Sequence, residues 1–281
     1  MKKLIPVVLL SALMSTGCMT VTVSSKQFVP RDTNKLVLLK TSAPDYQVSN
    51  IEFVQADGSV SRGVYFNKAN ADVTVLYFLG SGIRLDADGA YFLKPFSDLN
   101  ANVFVFDYRG FGRSDATTKD HGLKEIESDT LALYDHIRGL VKGRLIVHGH
   151  SFGSFVAARL AGQRQLDALV LEGTGTDAKT YAENLTPWFA KPFVSYNVVG
   201  DVVEVDNRRS LQNAKFPILV IAGKRDTTTP EVTARVLFDA LPQTNRRFVS
   251  VDSGHMDGMV FPEAKAAYKN LLKELGNANE R

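Results

Sequence analysis

One cysteine, one tryptophan and a charge of only +3 are what this chain of 281 residues has little of. The single cysteine, Cys18, has no partner within the chain, so no disulfide framework is available, and a chain without cysteine pairs fits oxidising and reducing compartments alike. Lys2 and Lys3 supply two of the three positive charges, leaving +1 once an N-terminal signal is removed, and no lysine or arginine cluster follows. That balance argues against a nucleic-acid groove. No group of His, Cys and carboxylates has metal-ligand spacing, and the glycines do not form a dinucleotide loop, so neither a metal nor an organic cofactor is expected. There is no internal repeat and no low-complexity block.

The N-terminus begins Met1-Lys2-Lys3, continues through the apolar Leu4 to Leu13, and ends Ser15-Thr16-Gly17-Cys18. A positive end, an apolar middle and small residues make a secretory signal, and the apolar part is too short to span a bilayer as a permanent helix. Gly17-Cys18 resembles the lipobox of bacterial lipoproteins, with Ser15 where that family usually has leucine. The resemblance implies a signal peptide over 1–17 and lipidation of Cys18. Met19, not aspartate, follows the cysteine, which by the same resemblance implies an outer-membrane anchor facing the periplasm. A simple signal peptide and a buried free cysteine are the alternatives. Residues 18–45, rich in Thr, Ser, Val and Lys without a period, are expected to be the lipidated start and a tether carrying no chemistry.

With 44% hydrophobic residues, 46–281 can bury one substantial core and is expected to be a single α/β domain. Gln47 to Val54 and Val60 to Phe66 flank Ala56-Asp57-Gly58-Ser59, a strong hairpin signal. Further strands are predicted over Val73 to Leu79, Asn102 to Phe106, Leu145 to Val147, Ala168 to Leu171, Pro217 to Ala222 and Arg247 to Val251. Helices are predicted over Ala90 to Leu99, Leu123 to Leu140, Gly153 to Gln163, Pro230 to Leu241 and Pro262 to Leu275. The alternation predicts a mostly parallel central sheet with helices on both faces.

Gly149-His150-Ser151-Phe152-Gly153 sits between the strand run Leu145 to Val147 and a helix. Glycines at 149 and 153 suit a sharp turn that lifts the Ser151 hydroxyl clear of the sheet. With Phe106-Asp107-Tyr108-Arg109-Gly110-Phe111-Gly112-Arg113-Ser114, Gly223-Lys224-Arg225-Asp226 and Ser253-Gly254-His255-Met256-Asp257, the chain from about Gln47 to Leu275 resembles the α/β-hydrolases. The Asp-Tyr-Arg-Gly-Phe-Gly-x-Ser run resembles the subgroup that includes Bem46-like and depalmitoylating serine hydrolases.

A serine hydroxyl is a weak nucleophile at neutral pH and needs a base, and the base needs an orienting group. Ser151, Asp226 and His255 stand in the order that family uses, each beyond a predicted strand. Glu172, at the end of Leu169-Val170-Leu171, is the rival acid. His148 and His150 flank the elbow and are expected to be structural or pocket-lining; His121 and His136 are expected to face solvent; Asp257 is expected to cap its loop or assist. The oxyanion needs two backbone donors, the first the N–H of Phe152. By resemblance the second is that of Ser81 in Phe78-Leu79-Gly80-Ser81-Gly82, where Leu79 replaces the usual histidine. The Asp107 to Ser114 run is expected to be structural, with Arg109 or Asp107 in buried ion pairs.

Between Gly173 and Arg209 the alternation lapses. By resemblance a small cap over about 174–210 covers the site, its Trp188, Phe189 and Phe193 either walling an acyl pocket or packing the cap onto the core. The expected function is a serine hydrolase acting on carboxylic esters or thioesters, with an acyl ester as small-molecule partner and the membrane reached through the N-terminal lipid. A catalytically silent envelope protein with the same fold and a serine peptidase are the alternatives.

Overall fold

Six strand segments carry no exposed residue, and they form the middle of the main sheet. The computed structural model describes residues 19–25, 46–71, 73–115, 122–242 and 244–277; Cys18 and His121 lie outside them. The strands are β1 (Met19–Val23), β2 (Tyr46–Val54), β3 (Val60–Lys68), β4 (Val73–Phe78), β5 (Ala101–Phe106), β6 (Arg144–His150), β7 (Ala168–Glu172), β8 (Val194–Val198), β9 (Ile218–Gly223) and β10 (Arg246–Val251). Eight of them make one sheet in the order β10-β9-β7-β6-β4-β5-β3-β2. All pairings from β5 to β10 are parallel, and β3 is antiparallel to both β2 and β5. Continuous Val/Ile/Leu runs are what strands covered on both faces require. At the edge, β2 has Ser49, Asn50 and Glu52 in solvent, where alternation is enough.

Helices α1 (Leu85–Leu93), α2 (Leu123–Leu140), α3 (Phe152–Ala161), α4 (Ala178–Asn184), α5 (Asn207–Leu211), α6 (Glu231–Ala240) and α7 (Pro262–Asn277) surround the sheet. On α2 the buried Leu123, Ile126, Leu133, Tyr134 and Ile137 form one stripe at helical spacing. The helix expected over Ala90 to Leu99 starts earlier, at Leu85, and changes at Leu93 into a 3-10 segment, Lys94–Leu99. Pro95 explains the change, because its ring nitrogen has no proton for the carbonyl four residues back. Among the described residues, no helix is long and apolar enough to cross a membrane.

The stretch read as a tether departs from that expectation at its start. Met19–Val23 is a strand, parallel to β8, in a two-stranded sheet of its own. The residues alternate, so Val21 and Val23 turn to the cap while Thr20 faces solvent and meets the Ser195 hydroxyl at 2.9 Å. Residues 174–210 hold α4, β8, α5 and two short 3-10 turns.

Candidate active site

Ser151 sits at the junction of β6 and α3 with φ 52° and ψ −120°, a conformation that residues with a Cβ rarely adopt. The flanking glycines make the junction possible. A Cβ on Gly149 would lie 2.1 Å from the Gly153 carbonyl oxygen, and one on Gly153 would lie 2.1 Å from that of Phe78. The turn is pinned further by the Ser151 N–H donating to the Glu172 carbonyl at 2.9 Å and by the Ser154 hydroxyl donating to the Ser151 carbonyl at 2.6 Å.

His255 and Asp226 leave the ends of β10 and β9, which are adjacent in the sheet, so their loops meet over Ser151. His255 Nε2 lies 2.7 Å from Ser151 Oγ, and His255 Nδ1 lies 2.8 Å from Asp226 Oδ2. An ionised carboxylate only accepts, so the contact places the proton on Nδ1 and leaves the Nε2 lone pair for the serine hydroxyl. Asp226 is nearly buried, which pushes its carboxyl upward in pKa, yet the His255 ring and the Thr229 donors outweigh burial and hold it below the ordinary value.

The motifs in the sequence do not single out Thr228 and Thr229. Their N–H groups both donate to Asp226 Oδ1 at 2.8 Å, and the Thr229 hydroxyl donates to Oδ2 at 2.7 Å. The signal was present in Asp226-Thr227-Thr228-Thr229, since an aspartate followed by hydroxyl residues commonly accepts from the backbone two and three positions on.

Glu172, the rival acid, is turned to other partners. Its Oε1 accepts the Met259 N–H at 2.9 Å and its Oε2 lies 3.3 Å from His148 Nε2. Burial pushes its pKa upward, but His148, the nearby His150 and the Met259 N–H together leave it lowered. Glu172 thereby ties β7 to the segment that follows His255. His148 is fully buried among Tyr77, Phe96 and Tyr268. His150 is also buried, and burial lowers its pKa, so the neutral ring donates from Nε2 to the His255 carbonyl at 2.8 Å. His136 stands at the surface against Phe53, and the Asp257 carbonyl accepts the Val260 N–H at 3.2 Å.

Phe152 is the first residue of α3, and a first helical N–H has no partner inside its own helix. In the loop holding Ser81, Gly80 comes close to Ser151, since a Cβ there would lie 3.2 Å from that of Ser151. The support that a histidine at 79 does not give comes from elsewhere. The Tyr108 hydroxyl donates to the Leu79 carbonyl at 2.7 Å, and Asp107 Oδ1 accepts the Leu85 N–H at 3.1 Å. Arg109 is buried between Asp129 and Asp57, its Nε 2.8 Å from Asp129 Oδ2.

Trp188, Phe189 and Phe193 are 83%, 64% and 65% exposed. Rings walling a pocket would be partly covered, and these are not; they follow α4 on the outer side of the cap segment. Tyr181 on α4 turns inward, its ring 6.3 Å from Phe155 of α3, and Tyr196 on β8 also packs against the core.

The family described as serine aminopeptidase S33 (Hydrolase_4) matches residues 89–204, a span that includes Ser151 and ends before Asp226 and His255. The protein YfhR of Escherichia coli K12 is 25% identical over 232 residues, covering 78% of this chain and 77% of its own. Protein bem46 of Schizosaccharomyces pombe is 30% identical over 184 residues, covering 63% and 59% respectively. Lysophosphatidylserine lipase ABHD12 of Danio rerio is 28% identical over 190 residues, covering 60% and 47%. Among solved structures, the Pyrococcus furiosus esterase Pf2001 superposes with a TM-score of 0.68 at 21% identity, over 88% of this chain and 99% of its own. Taken with the sheet order and the elbow, these likenesses show that the chain has the α/β-hydrolase fold and is similar to proteins of that kind, Bem46-like ones among them.

Proposed function

We propose that the chain is a serine hydrolase that cleaves carboxylic esters or thioesters through an acyl-enzyme on Ser151. The observation that carries this reading is the pair of contacts on one imidazole, 2.7 Å to Ser151 Oγ and 2.8 Å to Asp226 Oδ2. In the first half-reaction His255 Nε2 takes the Ser151 proton as Oγ bonds to the acyl carbon. Asp226 steadies the resulting imidazolium and keeps its orientation. The negative charge on the former carbonyl oxygen falls to the N–H groups of Phe152 and Ser81, the first also at the positive end of α3. The tetrahedral adduct collapses as the bond to the leaving oxygen or sulfur breaks, and His255 returns the proton to it. Water then attacks the acyl carbon, giving its proton to His255, and the carboxylic acid leaves with Ser151 restored. No step asks for a metal or an organic cofactor.

Ester cleavage is favoured over aminopeptidase chemistry by how the carboxylates are used. An aminopeptidase needs a free anion for the substrate's ammonium group, and Asp226 and Glu172 are taken up by His255 and Thr229, and by Met259 and His148. The lipoprotein resemblance of Gly17-Cys18 belongs to the same reading and supports a place on the cell envelope.

Fluorophosphonate labelling separates an active hydrolase from a silent fold. The wild type should be labelled and Ser151→Ala should not, while p-nitrophenyl esters of increasing chain length define the acyl preference. An unlabelled wild type, or turnover retained in Ser151→Ala, overturns the assignment. Labelled palmitate fed to cells should mark the wild type and not Cys18→Ser; an unmarked wild type removes the lipid anchor.

A further inference from the structure

Exposed aromatic rings cost solubility, so a cluster of them calls for something to cover it. The run Leu185-Thr186-Pro187-Trp188-Phe189-Ala190-Lys191-Pro192-Phe193 carries such a cluster. Leu185 is 55% exposed, and the Trp188 and Phe189 rings stand edge to face at 6.0 Å with the solvent around them. The rings are not on a loose loop. Ala190 N–H donates to the Pro187 carbonyl at 2.9 Å, Lys191 N–H to the same carbonyl at 3.2 Å, and Phe193 N–H to that of Ala190 at 2.9 Å. Consecutive turns of this kind hold Trp188, Phe189 and Phe193 out from the cap as a fixed group.

What covers the group is indicated by the strand beside it. In the parallel ladder Met19 stands opposite Val194, the residue after Phe193, and Met19 is itself half exposed. The chain before Met19 is the apolar Leu4 to Leu13 followed by Gly17-Cys18. Whether that apolar segment or an acyl group on Cys18 holds the protein to a bilayer, it joins the folded unit at Met19, and one residue step is only about 3.8 Å. The aromatic group is therefore at the membrane end of the molecule. Its composition suits that place, because tryptophan and phenylalanine with a cationic neighbour favour the layer between headgroups and acyl chains. The single charged residue in the run is the exposed Lys191, whose sign attracts anionic headgroups.

We infer that the Leu185 to Phe193 face of the cap, with Met19 beside it, docks into the interfacial layer of an anionic bilayer. The inference rests on the proposed membrane attachment at the N-terminus, together with the exposed face and the strand register, and does not depend on the hydrolase chemistry. It does fix the orientation of the site, because α4, whose Tyr181 reaches the nucleophile helix, runs directly into the docking face. An amphiphilic acyl substrate would then reach the cap from the membrane side.

Trp188 is the only tryptophan in the chain, so its fluorescence reads this face alone. The full chain, reconstituted into vesicles of phosphatidylethanolamine with phosphatidylglycerol, should show blue-shifted emission, quenching by lipids brominated near the headgroup, and protection from aqueous iodide. In Phe189→Ser combined with Phe193→Ser, lipid quenching should weaken and iodide access return, with an unchanged thermal unfolding curve confirming that the fold is intact. Trp188 emission that ignores the lipid and stays open to iodide overturns the inference. So does a tryptophan already shielded before lipid is added in a chain that sediments as a dimer, which makes the face a self-interface. Loss of ester turnover with Trp188 still quenched by brominated lipid counts against the proposed chemistry and in favour of the docking face.

Discussion

The Tyr108 hydroxyl donates to the Leu79 carbonyl across 2.7 Å, joining the Asp107 to Ser114 run to the loop proposed to carry the second oxyanion donor. Both residues are buried, and the Tyr108 ring also stands edge to face with Phe152, the first proposed donor, at 5.3 Å. One side chain thus touches the supports of both donors. The run that reads as structural in the sequence is structural in a way that bears on the site, and it stands in for a histidine at position 79.

Tyr108→Phe keeps the ring and removes only the donor, leaving the Leu79 carbonyl buried and unpaired. The cost of such a group is about 1–3 kcal/mol. If part of it falls on the oxyanion loop, kcat for an ester should drop about tenfold per 1.4 kcal/mol while KM changes little. Equal losses in stability and none in kcat would confine Tyr108 to packing.

Asp226 and Glu172 are both strand-end carboxylates, and their partners separate them. Asp226→Asn keeps the shape but puts an amide against His255 Nδ1, favouring the wrong tautomer, so kcat should fall by about three to four orders of magnitude. Glu172→Gln keeps an oxygen for the Met259 N–H at a site that touches no reacting atom, so kcat should stay within about tenfold. Parallel kinetics of the two variants on one p-nitrophenyl ester decide it, and the opposite ranking would move the acid to β7.

How much of this could be read beforehand follows from how local each cause is. Ser151, Asp226 and His255 are legible because each follows an apolar strand run, buried in β6 and β9 and partly buried in β10, and such runs declare themselves without their neighbours. The elbow glycines were legible because the need for them lies within five residues. Tyr108 and Leu79 are 29 residues apart, and nothing in either segment names the other. Strand β1 hides for the same reason: Met19-Thr20-Val21-Thr22-Val23 alternates as a strand should, but its partner lies 175 residues away and its flanks read as linker. The exposure of the three cap aromatics is not legible in the sequence, because aromatic content reports an apolar surface and not the direction it faces.

The elbow makes a prediction about backbone alone. Gly153→Ala would drive a Cβ to within 2.1 Å of the Phe78 carbonyl oxygen, which belongs to a central strand and cannot yield, so the variant should lose several times the usual 1–3 kcal/mol of an overpacked site. Ser151 has the reverse problem. Its φ of 52° with ψ −120° suits glycine, and such strain is worth about 1–3 kcal/mol, more than the roughly 0.4–1 kcal/mol that glycine costs through the unfolded chain. Ser151→Gly should therefore unfold at higher urea than Ser151→Ala, although neither turns over substrate. If the alanine variant is the more stable, the elbow is not strained.

Asp107 should leave a mark on stability against pH that runs opposite to that of most carboxylates. Burial raises its pKa from 3.8 to about 6, only partly offset by the Arg113 and Leu85 N–H groups that its oxygens accept. Below the unfolded value both states are protonated and the residue makes no difference. As pH rises between the two values, the unfolded chain releases the proton while the folded chain keeps it, so folding loses ground with rising pH. Above about 6 the loss is complete, on the order of 3 kcal/mol at 1.36 kcal/mol per unit of pKa. Asp107→Asn removes the titration and also an acceptor for the Arg113 N–H, but that second cost does not vary with pH. Urea unfolding of both proteins from about pH 4 to pH 7 should therefore show the wild type losing ground to the variant across the range, whichever is more stable at the start. Asp226 and Glu172, whose carboxyls are held low, lend stability that fades as pH falls, and they cancel in the difference. Two curves that stay parallel across that range would mean that Asp107 titrates in the folded protein as it does in the unfolded one.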